Sequence, residues 1–141
     1  AVEEIMKLVG DAKSGQTAIQ RCIMCHQVGE IGAMFGPSLN GWGKTQTTEV
    51  IIRSMVDPGA DIAHGFKGTE LTMKDGKVVN GLVLTSGDPT LITSMGGVTQ
   101  TIPNKKIAHK KNMKRSLMMS AGQMGLTAQD VADIAAYMKT L

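Results

Sequence analysis

The chain has 141 residues, 42% of them hydrophobic, with only four aromatic side chains (Phe35, Trp42, Phe66 and Tyr137), eleven methionines and a net charge of +3. That length suits one domain, alone or with an inserted subdomain, rather than two independent globules, and no stretch approaches the roughly 20 consecutive apolar residues of a membrane-spanning helix. Six of the fifteen basic residues (Lys105, Lys106, Lys110, Lys111, Lys114 and Arg115) share one segment without an acidic residue, leaving nine basic against twelve acidic residues elsewhere.

The first segment, Ala1 to Leu8, reads as a helix ending near Gly10. Asp11 is placed to cap a second helix, whose apolar positions Ala12, Ala18, Ile19 and Cys22 recur at helical spacing. From Gln27 to Lys44 the glycines and Pro37 mark an ordered loop. Thr47 or Thr48 then opens a helix through Val50, Ile51, Ile52 and Met55, which Pro58 stops. After about Gly65 the period becomes alternating. Leu71 and Met73, Val78 to Leu84, Leu91 to Met95 and Val98 to Ile102 predict four strands, and Lys105 to His109 a fifth. Asp75-Gly76 predicts a two-residue type I′ hairpin, Gly96-Gly97 another tight hairpin, and Ser86 to Pro89 a turn. Such strands predict a small meander or barrel. Thr127 and Asp130 then have capping-box spacing, and Val131, Ile134, Ala135 and Met138 make one apolar stripe.

Cys22-Ile23-Met24-Cys25-His26 is a C-x-x-C-H sequence, the attachment signature of haem c. Two thiols one turn apart can form thioethers with the two vinyl groups on one porphyrin edge, and the adjacent imidazole can ligate the iron. A thioredoxin-like pair would follow a strand in a βαβ unit, and no such alternation precedes Cys22. A zinc site would need further ligands, yet His64 and His109 lack metal-ligand spacing. A haem would also give the methionine-rich, ring-poor interior something to pack around.

Asp11 to Asn40 resembles the opening of class I cytochromes c, with C-x-x-C-H followed by Gly36-Pro37-Ser38-Leu39-Asn40-Gly41 in place of that family's G-P-x-L-x-G. The whole chain is most similar to one subgroup, the haem-binding domain at the ends of large planctomycete and verrucomicrobial proteins. Asp57-Pro58, Gly65-Phe66, Lys74-Asp75-Gly76, Ile102-Pro103, Ser116-Leu117-Met118 and Asp133 to Tyr137 carry that similarity. The resemblance implies an α+β fold, with class I cytochrome c-like helices around one haem and an inserted small antiparallel β meander or barrel. On that expectation residues 1–141 form one cytochrome c domain, with a helical haem-attachment part at 1–64, the β insertion at about 65–110, and an axial-ligand loop and final helix at about 111–141. It further implies that the Pro37 carbonyl orients His26 and that the Met118 thioether is the sixth iron ligand, although Met119 stands where the subgroup has proline. Met119, Met113 and Met124, or His109 or His64, are the alternatives. Trp42 is a candidate hydrogen-bond donor to a haem propionate, and Lys44 and Arg53 are weaker candidates for the same role.

The expected function is electron transfer by a c-type cytochrome with one covalent haem, not catalysis. The alternatives are an open-site haem enzyme or gas sensor, or a haem-containing docking module of a larger redox protein. The expected partner is an acidic redox protein docking near Lys105 to Arg115, with a solvated edge strand as the plainer explanation of those lysines. Nucleic acid is not expected, because aromatic side chains do not interleave the lysines. Covalent haem implies the periplasm or another exported compartment. Ala1 leads into Glu3 and Glu4 rather than a signal sequence, so if the protein is exported the signal is expected to have been removed or to lie upstream of this sequence.

Overall fold

Local signals start or stop the short helices of this chain. The computed structural model describes residues 1–85 and 87–141. Gly10 and Asp11 divide the N-terminal stretch into α1 (Val2–Met6) and α2 (Ala12–Ala18), and the Asp11 carboxylate caps α2 by accepting from the Lys13 and Ser14 N–H groups at 3.2 and 3.3 Å. Beyond Ala18 the chain tightens into a 3₁₀ turn, Ile19–Cys22. In α3 (Thr48–Val56) the Thr47 hydroxyl accepts from the Val50 N–H at 3.2 Å, and Pro58 stands just past the end. In α4 (Ala128–Met138) the reciprocal Thr127–Asp130 capping box is formed.

The helices bury one core, in which Ile19, Ile51, Ile52, Val131 and Ile134 are fully enclosed. Two glycines set how closely α2 lies against α4. A Cβ on Gly15 would run into the Asp133 carbonyl oxygen, and one on Gly10 into that of Ala132. The buried Asp133 side chain fastens the same contact, its Oδ1 accepting from the Asp11 N–H and from Gln129 Nε2, both at 2.8 Å.

The second half is a sheet of β1 (Thr69–Met73), β2 (Val78–Thr85), β3 (Thr90–Ser94), β4 (Val98–Ile102) and β5 (Ile107–Asn112). All pairs are antiparallel, in the order β4-β3-β2-β1-β5. Leu71 and Ile92 are fully buried and, with Ile102, make a small core of their own. The fifth strand lies a little later than Lys105 to His109, because Asn104–Lys106 forms a 3₁₀ turn. It pairs with β1, opposing Leu71 with Lys110, rather than lying beside β4. β4 and β5 are therefore the two edges, and the sheet is not a barrel. The β1–β2 hairpin also differs from a type I′ turn, since among the described residues no residue other than glycine, and so not Asp75, has positive φ. Lys74, Asp75 and Gly76 form a three-residue loop, with the Gly76 N–H donating to the Met73 carbonyl at 3.0 Å and Gly76 at φ +89°. Of the turn expected at Ser86 to Pro89, Ser86 lies outside the described residues.

The expectation of class I cytochrome c-like helices around a haem, with a β meander or barrel as an insertion, is overturned. The fold is mixed, dominated by the five-stranded antiparallel sheet, and its helices are short, at 5, 7, 9 and 11 residues. The physical reason is that the motifs carrying the resemblance are local. They specify a turn and a loop, whereas the sustained alternation from Thr69 to Asn112 and the breaks at Gly10 and Pro58 decide the architecture.

Candidate functional site

Cys22 ends the 3₁₀ turn after α2, and its carbonyl accepts from the Cys25 N–H at 3.1 Å and the His26 N–H at 2.9 Å. The five residues from Cys22 to His26 are thus one turn closed by backbone hydrogen bonds. The loop that follows is pinned to it at several points. The Ala33 N–H donates to the Ile23 carbonyl at 2.8 Å, and the Leu39 N–H to that of Gln27 at 3.0 Å. The Asn40 amide clasps Gly29 from both sides, Oδ1 accepting at 2.7 Å and Nδ2 donating at 2.8 Å. These bonds bring Pro37 back onto His26.

His26 is 9% exposed, and its Nδ1 lies 2.6 Å from the Pro37 carbonyl oxygen. A carbonyl only accepts, so Nδ1 carries the proton, and in the neutral ring Nε2 holds the lone pair. Gly36 makes the approach possible, because a Cβ there would sit 2.6 Å from His26 Cε1 and 2.8 Å from Nδ1.

Cys22, Cys25, His26, Pro37, Trp42 and Met118 all line one cavity of about 680 Å³, within the range of roughly 300–1,000 Å³ typical of small-molecule and cofactor sites. Its apolar walls come from Phe35 and Leu39 of the loop, Ile51 and Met55 of α3, Ile62 and Phe66 beyond α3, Leu82 of β2, and Ile134 and Met138 of α4. Ser116, Leu117 and Met118 close another side. The Met118 N–H donates to Ser116 Oγ at 3.0 Å, and the Ala121 N–H donates to the Met55 carbonyl at 2.7 Å, fixing this loop to the end of α3.

The competing ligand candidates fall elsewhere. Met119 is 42% exposed, Met113 is buried against Gly68, and neither they nor Met124 line the cavity. His64 and His109 are exposed and outside it. Arg53 reaches the cavity while paired with Glu49 at 2.6 Å, whereas Lys44 is exposed and away from it. Sequence reasoning missed Gly36 and Asn40 as positioning residues, although both stand inside the Gly36 to Gly41 motif. It also missed Leu82 and Phe66 as walls, for which no local signal exists.

Burial pushes the Cys22 thiol up to about 11, with the neighbouring Cys25 adding to the effect, and burial raises Cys25 as well. The pair is therefore neutral at ordinary pH, the opposite of the depressed thiols of redox-active C-x-x-C sites. A neutral thioether in the same place carries no charge to desolvate. Among the described residues no three histidine, cysteine or carboxylate side chains converge as a metal cage. One imidazole and one thioether on a shared apolar cavity instead form a donor pair suited to an iron whose other positions a macrocycle fills. The residues present fit a covalently held haem.

A second cavity, of about 430 Å³ between α1 and the start of α4, is lined by Ile5, Leu8, Leu126 and Val131 among others and contains no thiol, imidazole or thioether. The six basic residues are all exposed, and the last two, Lys114 and Arg115, lead directly into the cavity wall at Ser116. No helix among the described residues is long and apolar enough to cross a membrane. Neither a scan against protein-family models nor a search of curated proteins finds a match for this chain.

Proposed function

We propose that the protein is a c-type haem protein that transfers single electrons, with the haem attached through Cys22 and Cys25 and its iron between His26 Nε2 and the Met118 thioether. The observation that carries this reading is the meeting of both thiols, Met118 and a buried imidazole, its Nδ1–H committed to the Pro37 carbonyl, on a single cavity. The proposal concerns cofactor and chemistry, not a class I fold.

When bound, haem supplies a one-electron ferric–ferrous couple. The Pro37 carbonyl fixes the tautomer of His26 and makes Nε2 the better donor. A Met118 thioether favours the ferrous state and raises the reduction potential. The side chains of Phe35, Ile51, Phe66 and Leu82 give the site an apolar lining. With His26 and Met118 as the residues that would hold the iron, the site would serve as an electron carrier rather than a catalyst, and covalent attachment would imply the periplasm or another exported compartment. Arg53 is the cavity cation for a propionate, with Trp42 as a further donor. The exposed strip from Lys105 to Arg115, ending at the cavity wall, favours docking by an acidic redox protein.

The test is the absorption spectrum of the oxidised holoprotein with and without Met118→Ala. A weak red band from iron–thioether bonding should be present in the parent and absent in the variant. Rapid cyanide or carbon monoxide binding by the unaltered protein would instead show an open sixth position and refute the carrier reading.

A further inference from the structure

The two edges of the sheet are built in opposite ways. The β5 edge carries Lys110 and Lys111, preceded by Lys105 and Lys106, and so repels a second copy of itself. The β4 edge, Val98-Thr99-Gln100-Thr101-Ile102, has no charge at all, and its first four residues are exposed. It is bounded by Gly97 at φ +80° on one side and Pro103 on the other, which confine pairing to these five residues.

The strand is also nearly palindromic about Gln100. Antiparallel pairing of two copies centred on that residue opposes Thr99 to Thr101, Val98 to Ile102 and Gln100 to itself. Threonine pairs across strands are favourable, and no like charges are opposed. The register of β4 on β3 places Gln100 beside Ile92 and Ile102 beside Thr90, so Val98, Gln100 and Ile102 share the face that carries the sheet's buried core. Val98 is 57% exposed, whereas Ile102 is 7% exposed. In the paired arrangement the open Val98 of each copy gains the Ile102 of the other as an apolar neighbour, extending that core across the junction.

We propose that β4 is a self-association edge, through which two copies of this chain join their sheets antiparallel about a two-fold axis at Gln100. The interface is isologous: each copy gives and receives the same contacts. It is independent of the haem reading, since β4 contributes nothing to the 680 Å³ cavity.

The experiment is sedimentation velocity on the full chain from low micromolar to near-millimolar concentration, with Gln100→Lys beside the parent. The parent should shift reversibly from monomer to dimer, and Gln100→Lys, which sets two cations against each other at the axis, should remain monomeric with an unchanged circular dichroism spectrum. Register is read separately by oxidative cross-linking. Gln100→Cys should give a disulfide-linked dimer, because residues opposed across an antiparallel pair lie about 4.5–5.5 Å apart at Cα, within the roughly 4.4–6.8 Å that a disulfide spans. Val98→Cys, four residues from its own counterpart, should not. A parent that stays monomeric throughout, a dimer that survives Gln100→Lys, or equal cross-linking at positions 98 and 100 would each overturn the proposal.

Discussion

Gly36→Ala is the smallest change that should disable the site without touching a thiol or a ligand. Its new Cβ would stand 2.6 Å from Cε1, 2.8 Å from Nδ1 and 3.1 Å from Nε2 of His26, all well inside van der Waals contact. Two responses are open to the fold. The loop retreats and loses packing, at about 1–3 kcal/mol for overpacking a filled interior. Otherwise the imidazole turns and gives up its bond to Pro37, leaving a buried polar group unpaired at about 1–3 kcal/mol. The two are alternatives rather than additive, so the gross loss is about 2 kcal/mol. Gly36 lies outside the positive-φ region, so the lower unfolded-chain entropy of alanine returns about 0.4–1 kcal/mol of it, leaving a net loss of about 1–2 kcal/mol. Urea unfolding of the haem-free chain measures this term without iron chemistry, and in the haem-loaded protein the same substitution should perturb the His26-dependent spectrum. Stability within about 0.5 kcal/mol of the parent, the scatter of neutral surface changes, would refute the argument that Gly36 exists to admit the imidazole.

Gly15→Ala tests the helix contact and carries a sign that propensity alone gets wrong. Alanine is better than glycine inside a helix by about 1 kcal/mol, but the added methyl collides with the Asp133 backbone carbonyl across the α2–α4 contact, so thermal unfolding should show a net loss of about 1–2 kcal/mol. A stabilised variant would mean that the helices separate freely. Asp11 and Asp130 are held below the usual carboxylate value, Asp11 chiefly by the Ser14 hydroxyl and Asp130 by the Thr127 backbone and hydroxyl. Because the folded state lowers these values, their contribution is present above the unfolded value of 3.8 and is lost as pH falls through the lower folded values. The double variant Asp11→Asn, Asp130→Asn should therefore lose stability less steeply below about pH 4 than the parent in acid titrations of unfolding. An identical slope would show that the two carboxylates are not responsible.

What could be read from the sequence is what depends on neighbours along the chain. The Thr127–Asp130 capping box, the Asp11 cap and the strands around Leu71 and Ile92 follow from local chemistry and periodicity, and the structure contains them. The architecture did not follow. C-x-x-C-H and Gly36 to Gly41 determine a turn and a loop that any surrounding fold can carry, so their likeness to class I cytochromes c misdirected the fold. The partner of β5 was equally hidden, since its pairing with β1 spans about forty residues and leaves no mark on either strand alone. Asp75-Gly76 resembled a type I′ turn, yet only Gly76 takes positive φ, and one extra loop residue relieves Asp75 of that conformation. Within the site, Met118 was one methionine among several in sequence. Its distinction is that Ser116 and the Met55 carbonyl fasten its loop beside the cavity, while Met113 and Met119 turn elsewhere.

The central claim is that Cys22 and Cys25 are thioether carbons' partners rather than free thiols, and intact mass under denaturing conditions tests it most directly. The full chain, exported from a host that attaches haem to C-x-x-C-H sequences, should exceed its sequence mass by one haem, and Cys22→Ala with Cys25→Ala should return it to the sequence mass. A parent chain that carries no covalent haem in that host, while a control c-type cytochrome does, would contradict the account.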